Sequence, residues 1–285
     1  MSLVRWARPE ERQVIQRYIF ENMGKIPYER WANILDCRWI PENDRYGVVV
    51  VGTGRPLGFL GIVFADREIG GRMHRTGNIT SWYLEKDMRR GGIGQEMLAM
   101  ITEDPNVTYT ATSPNIRSGS LLAKVGWETL DGQRLVWHRS GEPVSAVVRT
   151  ATPEEVEARL GPKVAKAVVD HAGLNIQPYL IESPDGRACL AVTYVKLKGD
   201  DIAHHEVLHV SDRALFTAHA ADFANVVLPP RKAVLSLDSR FTDGSGAPDE
   251  TLTLEIPRYW KPAGLAPGDI DFLYSEVVLL DLKIQ

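Results

Sequence analysis

The chain has little that would tie it to a membrane, a disulfide scaffold or a nucleic acid. Its 285 residues include two cysteines, Cys37 and Cys189, far apart and outside any CxxC-type pair. That spacing argues against a disulfide framework and against a structural zinc. No apolar run approaches the roughly 20 residues of a membrane-spanning helix. The opening segment MSLVRWARPEERQ is charged from the start and lacks the apolar core of a signal peptide. A cytoplasmic location is therefore expected, with no membrane partner. Basic residues do not cluster beyond a pair or so, the formal net charge is -4 and the pI is about 6.0. A nucleic-acid partner is not expected from such a balance. Any anion the protein holds must be held by a local arrangement of groups.

What is present is an ordinary globular composition, 44% hydrophobic and 25% charged. The length suits two domains. Residues 9–22 put Val14, Ile15, Tyr18 and Ile19 on one helical face, with Gly24 as a stop. A short helix is expected around Tyr28–Leu35, a buried strand at YGVVVV, its hairpin partner at 57–65, a loop at GGRMHR and a strand at Gly77–Leu84. A Gly-rich loop at 89–94, a helix to about Thr102, a strand at 107–113, a helix at Arg117–Lys124 and a strand pair around Trp127–His138 complete the first half. The stretch RSGEPVS at 139–145 has turn composition and marks a boundary between domains 1–140 and 146–285. The second half repeats the order helix, helix, three strands, helix, strand without repeating the residues. LTLEI and DFLYSEVVLLDL are expected to be its closing strands.

The segment ITSWYLEKDMRRGGIGQEMLAMI carries the chemistry. A strand runs into a loop of glycines and arginines, and the loop opens a helix. A helix start leaves backbone N–H groups unpaired and carries partial positive charge. Glycines let a phosphate approach those groups closely, and Arg89 and Arg90 add charge-assisted bonds. This is a local pyrophosphate cradle. It lacks the Gly-Lys-Ser/Thr of a P-loop, and Gly91, Gly92 and Gly94 do not fit G-x-G-x-x-G.

The pattern that fits is R-x-x-G-x-G, from Arg89 through Gly92 to Gly94. A second segment, Asn115 to Trp127, matches Asn-x-x-Ala-x-x-Leu-Tyr-x-Lys-x-Gly-Phe at Asn115, Leu121, Lys124 and Gly126, with Trp127 in the aromatic slot. In both segments the chain resembles the GNAT acetyltransferase superfamily, over about residues 5–138. The resemblance implies an α/β fold with a mixed, mostly antiparallel sheet flanked by helices. It also implies acetyl-CoA as acyl donor and an amine on a small molecule, amino sugar or peptide as acceptor. Carried over, backbone groups of Trp82, Tyr83 and Leu84 would pair with pantetheine. Arg89, Arg90, Gly91, Gly92, Ile93 and Gly94 would surround the pyrophosphate, and Asn115 would lie near the pantetheine. The Leu84 N–H would meet the oxygen charge of the transition state.

The sequence departs from the family where protons move. The pre-loop strand, Asn78 to Tyr83, holds no carboxylate, and Leu122 stands where the family often has its acidic Tyr. Thr80, Ser81 and Tyr83 could hold a water and Tyr109 could donate a proton, though each also reads as packing. The second half replaces the loop with HVSDRALFTAH, where Ser211 looks like a helix cap. It reads as a degenerate GNAT-like domain that does not bind coenzyme A. His205 and His209 share a strand face by alternation, but no third ligand follows, so no metal is expected. The resemblance makes Tyr28, Trp31 and Trp39 candidates for lining an acceptor pocket, while the tryptophans, Trp6 and Trp127 among them, otherwise read as core. Asp238, Arg240, Asp271, Tyr274, Ser275 and Glu276 are polar groups amid apolar runs, explained by buried ion pairs or by an acceptor site between the domains. The two functions left open are an N-acyltransferase and a non-catalytic acyl-CoA-binding protein. Self-association is open.

Overall fold

The computed structural model describes residues 3–52 and 54–284. The fold is mixed α/β with a mostly antiparallel arrangement of strands, and the chain divides into two compact units that are not consecutive stretches. The first comprises Met1–Glu128, Arg258–Ala266 and Tyr274–Leu282, and the second comprises Thr129–Pro257, Pro267–Leu273 and Lys283–Gln285.

In the first unit the strands are β1 (Leu3–Trp6), β2 (Gly47–Gly52), β3 (Arg55–Ile69), β4 (Arg72–Leu84) and β5 (Thr108–Ala111), in that spatial order. The helices are α1 (Arg12–Met23), α2 (Ile93–Ile101) and α3 (Ile116–Lys124), and a 3-10 turn spans Tyr28–Ile34. The run GVVVVG is buried β2, as its β-branched residues require. The expected loop at GGRMHR shrinks to Gly70 and Gly71, both at positive φ, and β4 starts at Arg72. Two such glycines make a hairpin turn whose twist matches the strands, and the cross-strand pair Asp66–Arg75 continues the ladder beyond it. Val48, Val50, Leu60, Ile62, Ile79 and Tyr109 pack with Met97, Leu98 and Ile101 of α2 and Leu122 of α3 into one core.

The second unit takes β6 (Glu128–Trp137), β7 (Val147–Thr150), β8 (Gln177–Glu182), β9 (Ala188–Lys198), β10 (Ile202–Val210), β11 (Ala233–Asp238) and the first part of β12 (Glu250–Lys261). Its helices are α4 (Pro153–Leu160), α5 (Pro162–Val169), α6 (Arg213–Ala218) and α7 (Ala220–Val227). The strand pair expected at 127–138 is the single strand β6. Asp131 within it does not break the strand, its carboxylate accepting from the Gln133 N–H, the Ser239 hydroxyl and the Arg240 N–H. Asp212, not Ser211, caps α6, because its carboxylate accepts from the Leu215 N–H while the Ser211 hydroxyl accepts from Leu190. A bulge between Val207 and His209 changes the alternation: His205 lies opposite Val195 and His209 opposite Val192. Those partners are three residues apart, so the two histidines face opposite sides of the strand. His209 bonds instead to Asp271 at 2.7 Å.

At the core of this unit Arg134 is bonded to Glu206, Asp238 and Ser236, Arg240 to Asp238, and Lys198 to Glu206. Strands β10 and β11 run parallel and pair over Ala203–Glu206 and Ala233–Ser236. Past that pairing the Leu208 carbonyl accepts the N–H of Phe272, at 2.9 Å.

The segment DFLYSEVVLLDL is not a closing strand. Ser275 caps a short helix, α8 (Glu276–Leu279), through the Val277 N–H, and a strand would leave its buried Ser275 and Glu276 without these partners.

Candidate active site

The site is built where β4 leaves β5. These strands run parallel and pair at Thr76–Thr108, Gly77–Tyr109 and Asn78–Thr110. The other edge of β5 is paired with the last residues of β12, Tyr259–Lys261. Beyond Asn78, β4 follows β3 instead, with a bulge where Ser81 adopts φ +52°. Glu85 N–H donates to the Leu57 carbonyl, which makes Leu57–Glu85 a hydrogen-bonded antiparallel pair. Alternation makes Phe59–Tyr83 the next such pair and turns the Leu84 N–H and C=O away from β3. The Leu84 carbonyl accepts Nε of Arg89 at 2.8 Å. Tyr83 therefore spends its backbone groups on Phe59, while Leu84 keeps an N–H directed to the open side.

Below this edge the chain turns through Lys86–Met88 into the glycine loop. Gly91 and Gly92 sit at φ +82° and +83°, and a Cβ on Gly91 would meet nothing within 4 Å. Gly92 caps α2, and the first helical bond runs from the Glu96 N–H to its carbonyl, at 3.0 Å. The N–H groups of Ile93, Gly94 and Gln95 precede that bond and have no acceptor within the helix. Arg89 and Arg90 are exposed beside them. The Trp82 ring lies against Gly94, where a Cβ would come within 3.6 Å of it. Asn115 caps α3, its side-chain oxygen accepting from the N–H groups of Arg117 and Ser118 at 3.0 Å.

Side chains on the two faces of the fork differ in character. Ile79, Tyr109 and Ala111 enter the core under α2 and α3. Burial holds the Tyr109 phenol protonated, pushed up to about 12. Leu122 is fully buried there too. Successive strand residues alternate faces, so Asn78, Thr110 and Thr112 look the other way. There the Asn78 side-chain N–H donates to the Thr110 hydroxyl at 3.0 Å and the Thr112 hydroxyl at 3.2 Å. The Thr80 and Ser81 hydroxyls lie 3.2 Å apart, and Tyr83 packs edge-on against Tyr18 with ring centroids 5.9 Å apart. Of the aromatic pocket candidates, Trp31 is buried, Tyr28 packs on Phe20 and Trp39 packs on Tyr274.

Two groups stand out in the sequence only as a helix-face aromatic and a polar residue amid apolar ones, without a sign that both reach the fork. The Tyr18 hydroxyl is buried without a hydrogen-bond partner beside Tyr83, and burial raises its phenol above the ordinary range. Glu276, far along the chain, reaches the fork with its carboxylate on Thr112 and Ser113. Ser275 ahead of it is a readable helix cap, but nothing local says where that helix docks. Among the described residues no group of three or more His, Cys, Asp or Glu is placed to hold a metal. No described helix is long and apolar enough to cross a membrane.

Comparison with known proteins bears on the N-terminal stretch and on the fold. Residues 3–127 match the model of the acetyltransferase (GNAT) family. A search of the curated proteins finds no match. Among solved structures, a GCN5-related N-acetyltransferase from Anabaena variabilis has a TM-score of 0.57 at 13% identity, over 91% of this chain and 72% of that one. One from Kribbella flavida has a TM-score of 0.59 at 12% identity, over 91% and 70%. Eis1 from Mycobacterium abscessus has a TM-score of 0.53 at 11% identity, over 92% and 74%. At such identities the likeness is one of fold. The strand that parts from its parallel neighbour and the glycine loop below it both lie within residues 3–127, the stretch that carries the acetyltransferase (GNAT) family domain.

Proposed function

We propose that the protein is an acyl-CoA-dependent N-acyltransferase that moves acetyl from acetyl-CoA to an amine by direct attack. The observation that carries this reading is the parting of β4 from β5 above a helix start whose first N–H groups are free. An otherwise acidic protein holds a pyrophosphate by such means. The loop fits the donor: Gly91 and Gly92 occupy backbone conformations that favour glycine, and Gly91 leaves open the space a side chain would fill. Arg90 and the outer nitrogens of Arg89 add charge, while Arg89 Nε stiffens the loop against Leu84. Trp82 and Leu84 would flank the pantetheine and thioester, and Asn115 would hold the start of α3 beside them.

In this mechanism the amine adds to the thioester carbonyl and the Leu84 N–H meets the oxygen that gains charge. Its direction away from β3 supports that role. Ser81, Thr80 and Tyr83 carry the polar groups on the β4 side of the fork. Tyr109 is less suited to proton donation, being packed in the core.

The second reading, a non-catalytic acyl-CoA binder, is favoured by Asn78 and Leu122, which leave β4 and α3 without their usual proton-handling groups. We read the second unit as a degenerate GNAT-like domain that takes no coenzyme A. The Asp212 carboxylate at the start of α6 would repel a phosphate, and Phe272 takes the carbonyl of Leu208 that a pantetheine amide would need.

Calorimetric titration with acetyl-CoA tests the donor site. Wild type is expected to bind in the micromolar range and Gly92→Glu to lose binding while staying folded. No heat from folded wild type would sink both readings.

A further inference from the structure

Acyl transfer to an amine needs a group that accepts the amine proton, and β4 offers none. Glu276 stands at the fork from a part of the chain that the family match does not cover. It is 1% exposed, with its N–H donating to the Asn78 side-chain oxygen at 3.1 Å. The Thr112 hydroxyl lies 3.0 and 3.1 Å from its two oxygens, and the Ser113 hydroxyl 2.5 Å from one of them. Among the described residues it is the one carboxylate bonded to any side chain of 78–84 or 110–113. Ser113, two residues past the end of β5, is itself exposed. A buried carboxylate thus reaches the surface of the open fork through a single hydroxyl.

We infer that Ser113 and Glu276 form a proton relay for the acyl transfer proposed above, on which this inference rests. As the amine nitrogen bonds to the thioester carbon, Ser113 Oγ takes the amine proton and passes its own to the Glu276 carboxylate. The C–S bond breaks with its electron pair on sulfur. The proton held by Glu276 returns through Ser113 to the thiolate, so amine and thioester become amide and thiol with no net proton change. Ser113 is the group that touches the acceptor, and Glu276 acts through it.

The surroundings suit a base. Burial raises the Glu276 carboxyl above the usual carboxylate range, opposed by the bonds from Ser113 and Thr112 and by the charge of Arg258. A raised affinity for protons brings a carboxylate closer to the working range of a general base. Of the titratable groups on the elements packed against α8, Arg30 is tied to Asp281 and Arg75 to Asp66. Tyr28, Glu29, Arg72, His74 and Tyr83 make no bond to the carboxylate.

The test is thiol release from acetyl-CoA with lysine, glucosamine and a lysine-containing peptide, together with acetyl-CoA calorimetry on each variant. Ser113→Ala is expected to lower kcat at least about tenfold with the donor KM within about twofold. In wild type kcat/KM should fall as pH drops through the Glu276 pKa, because the protonated acid cannot accept. Glu276→Gln should lose that acidic limb and Glu276→Asp should partly restore it. If Glu276→Gln fails to fold, Ser113→Ala decides. Unchanged kcat and pH profile in Ser113→Ala would overturn the relay. Donor binding without thiol release from any of the amines would also overturn it and leave the non-catalytic reading. Absence of donor binding would remove the acyltransferase reading itself, and the relay with it.

Discussion

At the residue scale, the site distinguishes groups that have partners from groups that lack them. The Tyr18 hydroxyl is buried and unpartnered beside Tyr83. Removing it breaks no bond within the protein, so Tyr18→Phe should leave the melting temperature unchanged or raise it. A hydroxyl left over at a fork suits a bound acyl donor. The same variant should then weaken acetyl-CoA binding by about 1 kcal/mol, or roughly fivefold, on calorimetry. Equal affinity with equal stability would leave Tyr18 with no part in binding. Residues of this kind differ in how well sequence reveals them. Gly91, Gly92 and Asn115 are legible because their tasks are local: a left-handed backbone, a helix start, a cap. Glu276 is legible only as a polar group amid apolar ones, since its partners Thr112 and Asn78 lie 164 and 198 residues away. The sequence offers both Ser211 and Asp212 as good caps for α6, and only the Leu190 N–H, on another strand, separates them.

At the element scale, most boundaries follow from hydrophobic period and glycine position, and the exceptions have physical causes. The strand β4 runs longer than its apolar part because Asp66–Arg75 extends the hairpin with charged pairs. Alternation fails on β10 because a bulge cannot be seen in a run of strand-forming residues. The tail around α8 reads as strand by composition yet turns helical, because Ser275 caps it and Thr112 and Ser113 hold Glu276. Helix α3 starts on a reciprocal cap: Asn115 accepts from two backbone N–H groups, and the Ser118 hydroxyl accepts from the Asn115 N–H. Asn115→Ala is expected to destabilise the protein by about 1 kcal/mol in urea unfolding. An effect near zero would mean that water satisfies those N–H groups as well as the amide does.

At the scale of the whole molecule, the contact units and the sequence halves are different objects. The pattern of elements placed a boundary at 139–145, where composition turns polar. The first unit, however, also takes Arg258–Ala266 and Tyr274–Leu282. Tyr259–Lys261 pair with β5, and Ala263 N–H donates to Thr108. A fragment of residues 1–140 would lack all of these partners and expose the edge of β5. It is expected to melt without a sharp transition in circular dichroism and to bind no acetyl-CoA; a cooperative, binding-competent fragment would show that the returning segments are dispensable. The return of the chain also sets a clock. Synthesis runs from the N-terminus, and domains tend to fold as they emerge. The carboxylate at the fork is made 164 residues after Thr112, and closing so long a loop delays its contacts further. A nascent chain can therefore carry its glycine loop long before it carries Glu276, so the capacity to hold a donor would mature earlier than the capacity to use it.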